Sequence, residues 1–270
     1  MSEQKRKPAP TTSETRPTED EIFLKAEVEQ RKGLPSVVTR GESWRVFRIM
    51  GEFVEGFDEL ARLGPAVSIF GSARTPPEHP VYQKCVETAR LLGEAGFAVI
   101  TGGGPGLMQA ANQGAREAGA CSVGLNIELP FEQHDNPYAD LKINFRYFFV
   151  RKTMFVKYAQ AFVIFPGGFG TLDELFESLT LIQTEKIKNF PVVLFDSSYW
   201  APLLEWLKKT VEQNGNISVG DLDFLEVTDS PRQVVDHVVT RYTEDLKAWA
   251  QENGLPQLTP RGGTSGSGCR

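Results

Sequence analysis

The residues best suited to chemistry sit in one stretch, Ala161-Phe-Val-Ile-Phe-Pro-Gly-Gly-Phe-Gly-Thr-Leu-Asp-Glu174. The apolar run Phe162 to Phe165 reads as a buried strand that ends at Pro166. Gly167, Gly168 and Gly170, with Phe169 among them, let the backbone bend sharply and come close to a ligand. Thr171 then opens a helix. Its free N–H groups and the positive end of its dipole converge on one spot suited to a phosphate. Glu174 places a carboxylate beside that cradle. A phosphate cradle with an adjacent carboxylate points to an enzyme acting on a phosphorylated substrate rather than to a plain nucleotide binder.

A second group lies upstream. Arg151 and Lys152 stand where a helix starts after a strand, and cations in a first turn oppose the helix dipole at roughly 0.3–1 kcal/mol each. A ligand anion would offset that cost. Met154 follows, either as a base-contacting residue or as core. Gly103 and Gly104 belong to the glycine-rich turn Gly102–Met108, and Ser72 to the turn Gly71-Ser-Ala-Arg74. Both suit phosphate or ribose contact, or merely tight turns. Glu174 also has two readings. Thr171-x-x-Glu174 matches a capping box, in which the glutamate bonds back to the N-cap N–H, and a cap-fixed carboxylate is also pre-positioned for catalysis. Glu177, one turn on, is a possible second carboxylate. Asn126 and Glu128 follow a strand end, within reach of ribose hydroxyls.

These groups need a frame that brings distant loops to one rim. Short, nearly continuous apolar strands are predicted at Ala66–Phe70, Ala98–Thr101, Ser122–Leu125, Ile143–Phe149, Ala161–Phe165, Val192–Phe195 and Phe224–Val227. Helical patterns fall between most of them, at Tyr82–Ala95, Gly106–Ala118, Lys152–Ala159, Leu172–Thr184, Ala201–Asn214 and Pro231–Gln251. That alternation specifies an α/β fold, a Rossmann-like doubly wound parallel sheet with helices on both faces. Its ligands sit at the carboxyl ends of the strands. No Gly-Lys-Ser/Thr follows a glycine loop, so a Walker A site is excluded. Gly102, Gly104 and Leu107 fail the GxGxxG spacing, which disfavours a dinucleotide dehydrogenase.

Composition narrows the field further. The chain has 270 residues, 40% of them hydrophobic, and a formal charge of −6, which argues against nucleic-acid and polybasic membrane surfaces. The three cysteines (Cys85, Cys121, Cys269) are scattered and the count is odd, so no disulfide framework is expected. The three histidines (His79, His134, His237) share no metal-ligand spacing, and no metal or other cofactor is expected. No apolar leader or membrane-length run is visible, so a cytoplasmic setting is expected. Residues 1–20 and 256–270 read as disordered tails, 21–64 as a helical extension, and 65–255 as the catalytic domain. Within the extension, Asp20–Arg31 suits a short helix and Ser43–Leu63 a longer one with a broad apolar face.

Pro-Gly-Gly-Phe-Gly-Thr-Leu-Asp-Glu (166–174) matches the PGGxGTxxE signature of the Lonely Guy (LOG) family. Phe149-Val-Arg-Lys-Thr-Met154, Thr101-Gly-Gly-Gly-Pro-Gly-Leu-Met108 and Phe70-Gly-Ser-Ala-Arg74 resemble its other segments, in the right order from about Pro65 to Trp206. The resemblance implies a nucleoside 5′-monophosphate phosphoribohydrolase. Such enzymes release base and ribose 5-phosphate from AMP or its N6-modified cytokinin forms. It implies essential roles for Arg151 and Glu174, and a homodimer or assembly of dimers. The longer N-terminus and the insert from Asn126 to Tyr138 depart from short members and resemble longer bacterial ones. Some members carry a lysine decarboxylase label, for which no lysine here sits in a recognisable pyridoxal phosphate context. The competing reading is a non-catalytic carrier of a nucleotide or nucleotide-derived cofactor on the same fold.

Overall fold

The computed structural model describes residues 18–20, 40–129, 136–188, 190–254 and 269. Most of both expected tails, the Asp20–Arg31 helix beyond Asp20, and His134 lie outside these residues. After helix α1 (Arg40–Leu60), the chain alternates β1 (Ala66–Phe70), α2 (Pro80–Glu94), β2 (Ala98–Thr101), α3 (Leu107–Glu117) and β3 (Ser122–Ile127). It continues with β4 (Leu141–Phe145), α4 (Phe148–Tyr158), β5 (Ala159–Ile164), α5 (Phe169–Gln183), β6 (Val192–Phe195), α6 (Ser197–Trp206), β7 (Leu225–Thr228) and α7 (Pro231–Glu252). The seven strands form one sheet in the order β4-β3-β2-β1-β5-β6-β7. Every pairing is parallel.

Strand alternation divides the apolar residues between two cores. Val67, Ile69, Val99, Val163 and Val193 face α2, α3 and α7. Phe70, Ile100, Phe162, Ile164 and Leu194 face the opposite side, where Leu60 of α1, Phe155 of α4, Leu175 of α5 and Trp200 of α6 close over them. Because both faces are covered, the central strands are buried along their whole length, the physical basis of their unbroken apolar runs. The chain winds outward from β1 through β4, then returns to the other side of β1 with β5. The strand order therefore switches between β1 and β5, and a crevice opens there at the carboxyl ends.

The end of β4 and the start of α4 differ from expectation for one reason. β4 ends at Phe145 and α4 begins at Phe148, a turn earlier than predicted. Buried Glu52 of α1 accepts the N–H groups of Arg146 (3.2 and 3.1 Å) and Tyr147 (3.3 Å), while Asp20 accepts that of Phe148 (3.3 Å). These carboxylates satisfy N–H groups at a helix start that lacks acidic residues of its own. Arg151 and Lys152 thus lie a turn into α4, where the dipole argument loses force. Cys121 and Cys269 form a disulfide (Cα–Cα 5.2 Å), against the expectation drawn from scattered cysteines in odd number. They stand 148 residues apart, so no local spacing could reveal the pairing. Cys85 is a buried free thiol whose pKa burial pushes up.

Candidate active site

The turns after β1, β2 and β5 meet at the switch point around a cavity of about 1050 Å³. The turns fit together because some positions have no side chain. Gly106 (φ 66°) packs so tightly that a Cβ would strike the Ser72 carbonyl, and Gly103 (φ 70°) presses on the Asn126 carboxamide in the same way. The positive φ adds a strain that favours glycine at both. The turn after β5 is pinned from two sides. Ser72 donates its N–H to the Pro166 carbonyl at 3.0 Å, and the Tyr199 hydroxyl of α6 donates to the Gly167 carbonyl at 2.6 Å.

Helix α5 starts at Phe169, with Gly168 as its N-cap and no side-chain capping bond. The Thr171 N–H donates to the Gly168 carbonyl at 3.0 Å. Thr171 is therefore inside the helix, and Glu174 is too far along it to close a capping box. The cap reading of Glu174 is corrected on this point. The first N–H groups, at Phe169 and Gly170, have no acceptor within the helix and open toward the cavity rim, the arrangement that binds anions.

Glu174 lies on the cavity wall, only 4% exposed, and its Oε2 has no hydrogen-bond partner. Burial pushes its carboxyl up to about 7; Lys152 and Arg151 pull it down, and Glu177 and Asp173 push it up. Arg151 lines the same wall. Its guanidinium stands over the rings of Phe148 (5.1 Å) and Phe155 (5.5 Å), and its buried Nε lacks a partner. Desolvation lowers its pKa against the attraction of Glu174, Asp173 and Asp20. Among the described residues no ion pair joins Arg151 to Glu174. Two buried opposite charges are held apart, each with unused hydrogen-bonding capacity, on the wall of one cavity.

The structure brings Ser72, Gly103, Gly104, Arg151, Gly168, Phe169, Gly170, Thr171 and Glu174 to this cavity. Three residues expected there are elsewhere. Met154 is fully buried beneath α1, against Gly56, because its position on α4 faces the core; Met108 takes the place on the cavity wall. Lys152 is drawn away into ion pairs with Asp173 (2.9 Å) and Glu177. Gly167 lines a smaller neighbouring pocket beside His79, Asp196 and Tyr199. Glu177 is engaged with Lys152 rather than free. Asn126 does reach the cavity, where its Nδ2 donates to Asn144 Oδ1 at 3.0 Å across the β3–β4 pair, and both side chains line the wall.

Sequence reasoning missed a buried polar hub under the second turn. Thr101 Oγ1 accepts the Gly103 N–H (3.0 Å) and donates to Asn112 Oδ1 (2.6 Å). Asn112 Nδ2 donates to Ser122 Oγ (2.8 Å), and Asn136 Nδ2 reaches Asn112 Oδ1 at 2.9 Å. Asn112 thereby fixes both the glycine turn and the end of the Asn126–Tyr138 insert. The available signal was a lone asparagine on the apolar face of a helix, which must find partners when buried.

Comparison with known proteins adds a family. Residues 108–238 match the family profile described as "Possible lysine decarboxylase". The cytokinin riboside 5′-monophosphate phosphoribohydrolase LOG of Oryza sativa subsp. japonica is 30% identical over 132 residues, 47% of this chain and 54% of the relative. The enzyme of that name from Mycobacterium tuberculosis is 27% identical over 168 residues, 60% of this chain and 88% of the relative. The chain thus spans about half the length of the rice relative. The molybdenum cofactor carrier protein of Chlamydomonas reinhardtii aligns at 19% identity and TM-score 0.49, over 66% of this chain and 98% of that one, too loose a likeness to bear on function.

Proposed function

The chain belongs to the Lonely Guy (LOG) family, and from that premise we propose that it is a nucleoside 5′-monophosphate phosphoribohydrolase. It hydrolyses the N-glycosidic bond of adenosine 5′-monophosphate, or of its N6-modified forms, to free base and ribose 5-phosphate. One observation carries the reading: the buried Glu174 carboxylate, its Oε2 without a partner, and the Arg151 side chain, its Nε without a partner, share a cavity with an anion-binding helix start. The substrate's phosphate sits on the N–H groups of Gly168, Phe169 and Gly170, with the Thr171 hydroxyl assisting. As the C1′–N bond breaks, positive charge builds on the ribose. Glu174 stabilises it and takes a proton from the water that attacks C1′. Arg151 stabilises the departing purine, which leaves with the bonding electron pair and is protonated on release. The balance needs only water. A cytoplasmic setting is part of the proposal, set against the Cys121–Cys269 disulfide, a bond that persists mainly in oxidising compartments. No helix among the described residues is long and apolar enough to cross a membrane.

The phosphate supplies binding energy that is used at the remote glycosidic bond. AMP is expected to yield adenine at a rate at least about a hundredfold above adenosine, a difference of ~3 kcal/mol in transition-state stabilisation. Chromatography of the products checks this. Comparable rates on the two would remove the phosphate from its place at α5. Tight AMP binding without adenine release, from AMP and from its N6-prenyl form alike, would favour the carrier reading.

A homodimer is part of the proposal. Helix α1 buries one apolar face on α4 and exposes another, with Trp44 71%, Phe47 61% and Val54 66% exposed. Phe148 and Phe149 of α4 are also exposed. At roughly 150–250 Å² per aromatic side chain, weighted by these exposures, the aromatics leave on the order of 300–550 Å² bare, a patch of the size that marks an interaction site. A second copy of the chain is the proposed occupant. Light scattering is expected to give twice the chain mass, reduced to the single mass by Val54→Glu. A monomeric parent protein would show that the face is covered from within the chain or by another partner.

A further inference from the structure

Lys152 was expected on the ligand and is instead a tie between helices. Its ammonium, with the side chain 16% exposed, contacts Asp173 at 2.9 Å and Glu177 more closely still. Lys152 immediately follows Arg151 on α4, and Asp173 immediately precedes Glu174 on α5. The bridge therefore spans the two helices at the level of the two proposed catalytic groups. The helices bring few backbone positions close together otherwise. Two carboxylates also hold the lysine where it cannot fold onto Glu174, which stays without an ion pair in the cavity wall. An exposed lysine pair would have little consequence. Here the lysine side chain is largely covered while Asp173 stays open to solvent, and the bridge adjoins both groups that matter.

We propose that Lys152 is a positioning residue: through Asp173 and Glu177 it locks α4 to α5, fixing Arg151 against Glu174 across the scissile bond. This rests on the phosphoribohydrolase reading. The charges facing Glu174 are Lys152 and Arg151 from α4, and Asp173 and Glu177 from its own helix; Arg74 lines the same cavity, and Asp20 acts on Arg151. Lys152 is the largest influence holding the Glu174 carboxyl down against burial. Its loss therefore leaves less of the ionised form at neutral pH, as well as a looser pair of helices.

The experiment compares Lys152→Met, Lys152→Arg and Glu177→Gln with the parent protein, using AMP from pH 5.5 to 9. Lys152→Met is expected to lower kcat at pH 7 by at least about tenfold, to leave KM within about threefold, and to move the acid limb of the rate profile to higher pH. Lys152→Arg keeps the charge and both contacts and restores most of kcat. Glu177→Gln, which keeps the lysine, gives an intermediate loss and serves if Lys152→Met does not fold. An independent readout is the titration of the Glu174 carboxyl by ¹³C NMR of glutamate-labelled protein, assigned by its absence in Glu174→Gln. Its midpoint moves up in Lys152→Met whether or not AMP is the substrate. A rise in KM with kcat unchanged would return Lys152 to direct substrate contact. An unmoved Glu174 midpoint would overturn the proposal. A parent protein inactive on AMP would instead sink the phosphoribohydrolase reading, with the titration still deciding the charge coupling.

Discussion

Glu174→Gln is expected to cut turnover of AMP by at least about a hundredfold, the low end of general acid–base effects, and to make the fold less sensitive to alkali. Both follow from one placement. The carboxyl is buried on the cavity wall with one oxygen unbonded, and burial raises its pKa from 4.5 to about 7. A carboxyl whose folded pKa lies above its unfolded value binds its proton more tightly in the native state. Its contribution is fully present below the unfolded pKa and is lost as pH rises from about 4.5 to about 7. Each unit corresponds to about 1.4 kcal/mol. The unfolding free energy of the Gln variant, relative to the parent protein, should therefore grow by on the order of 3 kcal/mol between pH 4.5 and pH 8. Glutamine fills the same volume and carries no charge, so substrate binding through the N–H groups at Gly168–Gly170 persists. Denaturant melts at several pH values, with AMP kinetics, measure both effects. Near-normal turnover would shift attention to Glu177. A pH-independent stability difference would mean that the carboxylate is not held against its solvation.

What the sequence made legible follows from the range of the interactions involved. The strands of β1, β2 and β6 could be bounded because burial on both faces leaves an unbroken apolar run. The three rim turns could be found because glycine marks close backbone approach regardless of what approaches. Lys152, Met154 and Glu52 were misplaced or unnoticed because their roles depend on which neighbouring helix each faces. One residue of rotation on α4 separates Arg151, on the cavity wall, from Lys152, turned toward the carboxylates of α5. The register of α4 depends in turn on Glu52 and Asp20, far away in the chain. The Thr171–Glu174 capping box failed similarly. Its spacing is correct, but the helix begins at Phe169, and nothing between Gly168 and Thr171 marks which residue starts it. Asn112 left a trace, a buried asparagine requiring partners, but Thr101, Ser122 and Asn136 could be named only once the sheet had assembled them.

Arg151→Met should separate function from stability in the same direction as Glu174→Gln. The guanidinium lies over Phe148 and Phe155, with a buried Nε that has no partner. Methionine keeps apolar contact with both rings while removing a charge that desolvation disfavours. Replacing a desolvated charge that lacks compensating partners by an apolar side chain removes its desolvation cost. The variant is therefore expected to melt within about 1 kcal/mol of the parent protein, or above it, with the modest loss of cation–π contact included. Turnover of AMP should fall about a hundred- to a thousandfold, the range for removing one preorganised electrostatic group. Arg151→Lys should recover little, because a single ammonium cannot reproduce the planar fork over the two rings. Loss of the positive charge also raises the Glu174 pKa further, so the acid limb of the residual activity moves up while its plateau stays depressed. That pairing tells a catalytic arginine from a merely electrostatic neighbour. If the limb moves but the plateau recovers fully at high pH, Arg151 only tunes Glu174. If the variant unfolds several kcal/mol more easily and keeps its turnover, the guanidinium belongs to the scaffold and the purine departs without it.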